Sequence, residues 1–277
     1  MEDDAIRRSV RDHYAAVARE NSGCCTGPAV AASNCCGLAD VRAVGVAIGY
    51  TPQEMEAVPE GANLGLGCGN PLALADLREG ETVVDLGSGA GFDCFLAARR
   101  VGPSGKVIGV DMTPDMVEKA RANARKAGAG NVEFRLGEIE ALPVADASAD
   151  MVISNCVINL STDKPRVFRE ALRILKPGGR MMVSDLVLTR PLPESVRESV
   201  EAYAGCISGA MLRDDYLAAM RDAGFGRVEV AAESAYPIGS SNPDATEMAA
   251  IAEGLPPEDV RAAAESVVSV KVRALKA

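Results

Sequence analysis

The sequence predicts an α/β fold: a mostly parallel sheet covered by helices on both faces, with a helical extension before it and a smaller α+β part after it. Three observations predict it. From residue 81 onward, short strand-like runs alternate with helical stretches at the spacing of a parallel sheet. A glycine-dense turn joins the first strand to the first helix of that series. A closing run, residues 267–275, alternates in the manner of a last strand returning to the sheet.

The elements follow in order. Residues 2–20 pattern as an amphipathic helix, and residues 22–37 are a Gly/Ala/Ser/Asn stretch carrying the pairs Cys24-Cys25 and Cys35-Cys36. A short helix over 40–48 leads through Thr51-Pro52 to the loop PEGANLGLGCGNP. Residues 81–87 are a buried strand, 92–101 a helix, 106–111 a second strand and 114–128 a helix closed by Gly128. Residues 131–137 and 150–155 are the third and fourth strands, and 164–175 the next helix. The turn Lys176-Pro177-Gly178-Gly179 opens a fifth strand running to residue 188. Helical stretches around 193–203 and 213–223 precede a strand at 225–233 and the closing strand. No internal repeat or long low-complexity tract interrupts this order.

Composition bounds the function. The chain of 277 residues is 48% hydrophobic and 25% charged, with five Phe, five Tyr and no Trp, so its core is aliphatic. Its 29 Lys and Arg stand against 39 Asp and Glu, for a formal net charge of -10. That balance, with no Lys/Arg-rich run, argues against a nucleic acid or an anionic membrane surface as partner. The opening MEDDAIRRSV lacks the apolar core of a signal peptide, and no apolar stretch is long enough to span a bilayer. The expected location is the cytoplasm, where thiols stay reduced. Eight cysteines there call for a reason other than a disulfide framework.

The most informative motif is Val84-Asp85-Leu86-Gly87-Ser88-Gly89-Ala90-Gly91, where a strand hands over to a helix. Glycines there let the backbone bend sharply and let a ligand approach it closely. Twenty residues after Gly91, at the end of the second strand, Asp111 is placed to accept hydrogen bonds from both hydroxyls of a ribose. Dinucleotide enzymes share this logic, but the spacing here is G-x-G-x-G and lacks the third glycine set for a pyrophosphate. Asp85, ahead of the glycines, suits an amino group and suits a phosphate poorly. This stretch, over about residues 70–190, resembles the class I S-adenosylmethionine methyltransferases. The resemblance implies a Rossmann-like sheet whose last strand is antiparallel. It assigns the methionine part to Asp85 and the turn of Gly87, Ser88, Gly89 and Gly91, the ribose to Asp111 beside Met112, and the adenine to the loop of Gly137, Glu138 and Ile139.

Ligands of such sheets lie beyond the carboxyl ends of the strands, so the methyl acceptor is expected there too. Cys156 follows the fourth strand in Ser154-Asn155-Cys156-Val157-Ile158-Asn159-Leu160. Cys68 sits in a glycine-dense loop before the sheet, and Cys206 follows the fifth strand and a helix. Zinc sites usually carry close C-x-x-C pairs, which are missing here, and no structural metal is expected. Scattered thiolates at a cleft can instead grip a soft, thiophilic centre. A single buried cysteine often packs as a small hydrophobe, and Cys94, on the helix after the glycine turn, is read that way. Cys68 between glycines has little packing reason to be a thiol.

Together N-L-G-L-G-C-G-N-P, S-N-C-V-I-N-L and G-C-I-S-G-A resemble the arsenite methyltransferases of microbes, over nearly the whole chain including the CC…CC segment. The resemblance implies that Cys68, Cys156 and Cys206 bind trivalent arsenic as thiolates. It also implies a further N-terminal cysteine in a redox cycle, with Cys35 or Cys36, and equally Cys24 or Cys25, as candidates. It divides the chain into an N-terminal cysteine-bearing segment (1–70), a cofactor-binding core (71–190) and a C-terminal arsenic-binding part (191–277). Arsenite or its thiol conjugate would be the substrate, methylarsenite the next one, and the role detoxification. Asn155 is expected to orient the methionine end.

Trivalent arsenic has a lone pair and can attack a sulfonium methyl without a general base, whereas oxygen and nitrogen acceptors usually need one. The sole histidine, His13, lies in the N-terminal helix and is expected at the surface. After transfer, neighbouring thiols would return the arsenic to the trivalent state as a disulfide, which thioredoxin or glutathione would reduce. Two rival readings make different demands. A methyltransferase for a small organic acceptor, such as a quinone, sterol or lipid, predicts dispensable cysteines and an apolar pocket. A non-enzymatic metalloid buffer leaves Asp85, the glycine turn and Asp111 without a purpose.

Overall fold

The computed structural model describes residues 3–20, 38–199, 203, 206–235 and 255–277. Among these residues one seven-stranded sheet runs through the molecule in the order β3-β2-β1-β4-β5-β7-β6. Its strands are β1 (Thr82–Leu86), β2 (Lys106–Asp111), β3 (Val132–Leu136), β4 (Ala149–Asn155), β5 (Leu175–Leu188), β6 (Phe225–Ala235) and β7 (Val267–Lys276). Strands β3 through β5 pair in parallel, and β7 lies antiparallel between β5 and β6. This is the Rossmann-like arrangement expected, with its antiparallel last strand. The chain leaves β1 to β2 on one side and returns as β4 on the other. The carboxyl ends of β1 and β4 therefore part at a topological switch point, where a cleft must open.

Helices α1 (Asp3–Glu20), α2 (Leu38–Ala47) and α3 (Pro52–Glu56) precede the sheet. Helices α4 (Phe92–Val101), α5 (Pro114–Ala127) and α6 (Lys164–Ile174) connect its parallel strands, and α7 (Glu194–Arg197), α8 (Arg213–Asp222) and α9 (Pro257–Ala264) follow β5. Sequence and structure agree closely in the core. Helix α5 has Pro114 in its first turn and ends at Gly128 in the left-handed region, φ 62°. One difference lies at Lys176-Pro177-Gly178-Gly179, expected as a turn. Strand β5 starts directly at Leu175, and the four residues form an irregularity where the register slips between Ala149 and Met151. Of the helix expected over 193–203, Glu194–Arg197 is present, and Val200, Glu201, Ala202, Ala204 and Gly205 lie outside the described residues. Cys24, Cys25, Cys35 and Cys36 also lie outside them.

The sheet buries an aliphatic core on both faces. Val84, Leu86, Val152, Phe168, Ile174 and Val183 pack on one side, and Val83, Leu96, Val107, Met151 and Met182 on the other. Helix α1 is part of this body. Its Val17 and Ala18 pack on Leu64, Ala90 and Met116, and Arg19 pairs with Asp115 of α5 at 2.7 Å. That ion pair is exposed and contributes at most about 1 kcal/mol, so apolar contact does most to hold α1 across the mouth of the cleft. Among the described residues no helix is long and apolar enough to cross a membrane.

Candidate active site

The cleft at the switch point encloses about 1370 Å³, counting its open mouth, and has two chemically distinct ends. At one end β1 delivers Asp85 and the turn that follows it. Gly87 and Gly89 take φ 67° and 51°, where only glycine is unstrained. A Cβ at Gly87 would collide with Val157, whereas one at Gly89 would meet nothing within 4 Å and point into open space. The Gly89 N–H donates to Asp111 Oδ2 at 2.9 Å and the Thr113 N–H to Oδ1 at 2.8 Å. Each carboxylate oxygen keeps a lone pair for a hydroxyl presented from the cleft.

Asp85, Asp93 and Asp111 all line this end and are all buried. Burial, then the charge of Asp93, pushes Asp85 well above the usual carboxylate range. Burial raises Asp93 to about 6, against the pull of hydrogen bonds from Tyr50 and Asn155, and burial also raises Asp111. Three buried carboxyls at one end suit a positively charged ligand carrying hydroxyls, and suit a phosphate badly. An aminoacyl nucleoside with an ammonium and a sulfonium group, S-adenosylmethionine, fits this cradle.

Met112, Ser88, Glu138 and Ile139 also line the cleft, while Gly91 and Gly137 are not part of its lining. A Cβ at Gly91 would press on Phe134 and Phe95, and one at Gly137 on Pro143, so both glycines serve close packing. Helix α1 adds Arg7 and Tyr14 to the lining, which sequence reading missed. Its His13 is half-buried rather than at the surface. Nε2 has no partner among the described residues, and burial lowers its pKa.

The other end is built of sulfur. Cys156 ends the β4 crossing, with its N–H bonded to the Ser184 carbonyl at 2.8 Å. The Cys68 thiol donates to that same carbonyl at 3.6 Å, and Ser269 Oγ donates to the Cys68 carbonyl at 2.9 Å. Cys206 donates its thiol to the Cys156 carbonyl at 2.9 Å. The Sγ atoms of Cys68 and Cys156 and a carboxylate oxygen of Asp185 all lie within 4.8 Å of one another. Cys156 and Cys206 line the cleft, while Cys68, beside Cys156, is buried and is not part of the lining. Both lining cysteines hold positive φ, 58° and 62°, in the left-handed region that non-glycine residues adopt only when their surroundings compel it.

Cys68 and Cys156 keep their protons. Burial pushes the Cys68 thiol up to about 11. The Cys206 contact pulls Cys156 down, but the Cys68 thiol and burial outweigh it and hold Cys156 well above its ordinary value. These two are therefore thiols in the free protein, and they become thiolates only when something displaces their protons. Asp185 is raised to about 7 by burial, though the Leu186 N–H (2.9 Å), Asn159 Nδ2 (2.8 Å) and Tyr216 Oη (3.1 Å) all donate to it. Asp185 escaped sequence reading, yet an acid inside the apolar run MMVSDLVL was the signal, since a buried carboxyl needs partners. Cys94 donates its thiol to Asp85 at 3.2 Å and is fully buried away from the cluster, consistent with a packing role.

Between the two ends stands Asn155. Its Oδ1 accepts from the Cys68 N–H at 3.1 Å, while its Nδ2 donates to the Gly69 carbonyl (2.8 Å), Tyr50 Oη (3.0 Å) and Asp93 Oδ2 (3.1 Å). Tyr50 in turn donates to Asp93 Oδ1 at 2.6 Å. Tyr50 and Asp93 were not singled out in the sequence. Tyr50 directly precedes the capping box that Thr51 and Glu54 form on α3, a readable start signal for the element that seats it.

Comparison with known proteins follows the same division. A methyltransferase-domain family model matches residues 77–224, more than half of the chain. An arsenite methyltransferase of Halobacterium salinarum is 50% identical over 231 residues, which is 82% of this chain and 59% of that protein. One from Aquipseudomonas alcaligenes is 39% identical over 227 residues, 79% of this chain and 62% of that protein. The chain thus spans about three fifths of the length of these curated relatives. The crystal structure of an arsenic (III) S-adenosylmethionine methyltransferase from Chlamydomonas reinhardtii matches with a TM-score of 0.63 and 36% identity, covering 86% of this chain and 73% of that one. Fold, cradle and relatives agree, and the chain belongs to the class I S-adenosylmethionine-dependent methyltransferases, within the arsenite methyltransferase family.

Proposed function

We propose that this protein methylates trivalent arsenic, arsenite first and methylarsenite next, as a step in arsenic detoxification. The observation that carries the reading is the convergence of Cys68, Cys156 and Cys206, from three distant segments, on the far end of a cleft whose near end is a cradle for a cationic nucleoside. Bound there, S-adenosylmethionine supplies an electrophilic methyl group. The protein's own residues do the rest. Asp111 holds ribose hydroxyls, Asp85 and Asp93 face the ammonium group, and the cysteines hold the arsenic with its lone pair toward the methyl.

Because Cys68 and Cys156 are thiols in the free site, capture balances without a general base. Each thiol gives its proton to a hydroxyl of arsenite, water leaves, and an As–S bond forms. Three such exchanges give an arsenic bound to three sulfurs and release three waters. Holding both reactants in line can lower the barrier by several kcal/mol, up to about 7–11. The lone pair explains why a catalytic histidine is unnecessary. After transfer, the thiol of Cys35 or Cys36, with Cys24 and Cys25 as alternatives, attacks one arsenic-bound sulfur. An S–S bond forms, and that As–S bond breaks with its electron pair left on arsenic, which becomes trivalent again. A proton is released, and cytoplasmic thioredoxin or glutathione reduces the disulfide.

The test is direct. Protein incubated with S-adenosylmethionine, a thiol reductant and arsenite should yield methylated arsenic on speciation of the products. No methylated arsenic, with methyl transfer to a quinone or lipid acceptor instead, would overturn the reading.

A further inference from the structure

We infer that Asn155 is a positioning residue that couples the two ends of the cleft, so that a cationic nucleoside at Asp93 and Asp85 tightens arsenite capture at Cys68 and Cys156, and the reverse. The inference rests on the arsenite reading and extends it.

The argument starts from the valence of one amide. Asn155 Oδ1 is fixed by the Cys68 N–H, which needs an acceptor, so Nδ2 must face the other way. Its two hydrogens serve three oxygens. They are the Gly69 carbonyl, Asp93 Oδ2 and Tyr50 Oη. The side chain therefore grips the backbone on both sides of the Cys68 side chain with one edge, and a carboxyl of the nucleoside cradle with the other. The next residue along the chain is Cys156 itself, at φ 58°. A shift of Asn155 is a shift of two sulfur ligands together.

The loop it grips has nowhere else to go. A Cβ at Gly67 would stand 2.8 Å from Asn155 Nδ2, and one at Gly69 would collide with Ser184 Oγ on β5. So the loop lies between Asn155 and the sheet, and its position follows the amide. At the far edge Asp93 is a buried carboxyl whose charge grows when a cation faces it, and a charged carboxylate holds the Asn155 N–H more strongly than a neutral one. Cation binding thus tightens the clamp on Cys68. Linkage makes the effect mutual: arsenite must raise affinity for the nucleoside by the same factor.

Calorimetry tests this with S-adenosylhomocysteine, which keeps the ammonium and ribose but has no methyl to transfer. Its Kd is measured with and without saturating arsenite, in a phosphine reductant that supplies no competing thiol. The wild-type ratio should be about tenfold, within the roughly 5–150-fold range of coupled sites. In Asn155→Leu the ratio should fall below about twofold. A general loosening of the fold would weaken both ligands and leave the ratio unchanged, so the ratio separates positioning from structural damage. Asp93→Ala cuts the same link from the other edge and should also bring the ratio to about one. A wild-type ratio near one, or a full ratio in either variant, overturns the coupling and leaves the arsenite reading standing. Failure of wild type to bind arsenite overturns both.

Discussion

The two ends of the cleft use the same backbone conformation with opposite residue types. The nucleoside cradle places glycines at φ 67° and 51°, where they sit without strain, while the sulfur end places Cys156 and Cys206 at φ 58° and 62°. A cysteine in that region costs of order 1–3 kcal/mol. The first end lets the backbone approach a ligand. The second accepts strain to aim side chains at one. The contrast locates where side-chain chemistry is indispensable and where backbone shape suffices.

The sharpest way to break this contrast is at the sulfurs. Cys156→Ser or Cys206→Ser should lower kcat/KM for arsenite by about a thousandfold or more, because positioning of the acceptor is lost. The Kd for S-adenosylhomocysteine measured without arsenite should stay within about twofold. Retained methylation in both variants would show that side-chain capture is not what the strain serves. At the opposite end Asp111→Ala removes the acceptor that the Gly89 and Thr113 N–H groups share, and with it the partner proposed for the ribose. It should weaken S-adenosylhomocysteine by about 10–100-fold, or about 1.4–2.7 kcal/mol. Arsenite capture measured without nucleoside should be unaffected.

These two ends were not equally legible in the sequence. The cradle is nearly local: residues 84–91 form one motif, and Asp111 lies one strand away, so spacing alone announced it. The parallel sheet was legible for the same reason, since each strand and helix declares itself within its own residues. The sulfur end is assembled across 87 residues from Cys68 to Asn155 and 116 from Cys68 to Ser184. Cys156 and Cys206 could be named from their motifs, but nothing local says that they take left-handed backbone or that Cys156 keeps its proton. Asp185, Tyr50 and Asp93 were missed because their roles are relations between segments. Tyr50 reaches Asn155 over 105 residues.

pH distinguishes the ends more gently. Burial raises Asp93 to about 6, so near pH 5 it is protonated and offers no charge to the ammonium group it is proposed to face. Affinity for S-adenosylhomocysteine should therefore tighten as pH rises through 6 and level off above it, by about five- to tenfold between pH 5 and 7. Asp93→Asn should flatten that rise. Stability of the unliganded protein should run the other way. Between the ordinary carboxylate pKa of 3.8 and about 6, the folded form binds more protons at Asp93 than the unfolded one. This contribution to stability is therefore lost as pH rises through that window. Parallel pH trends for affinity and stability would contradict this assignment.

The smallest effect tests the opening contrast itself. If φ 58° at Cys156 is strain tolerated for the sake of sulfur, Cys156→Gly should relieve it. Glycine's greater unfolded-state entropy and the lost packing offset part of the gain, which leaves a net stabilisation of about 0.5–1 kcal/mol. Gly89→Ala is the mirror experiment: it imposes the strain where a Cβ would touch nothing within 4 Å, so conformation alone sets the cost. That cost should be about 1 kcal/mol of destabilisation. Urea unfolding of the two variants reads both signs on one scale. Opposite signs mean that the sulfur end gives up stability for its chemistry, as functional sites do when an activity needs a residue the backbone does not favour. Destabilisation of both would mean that Cys156 is held by packing the glycine cannot replace, and that its backbone conformation carries no functional message.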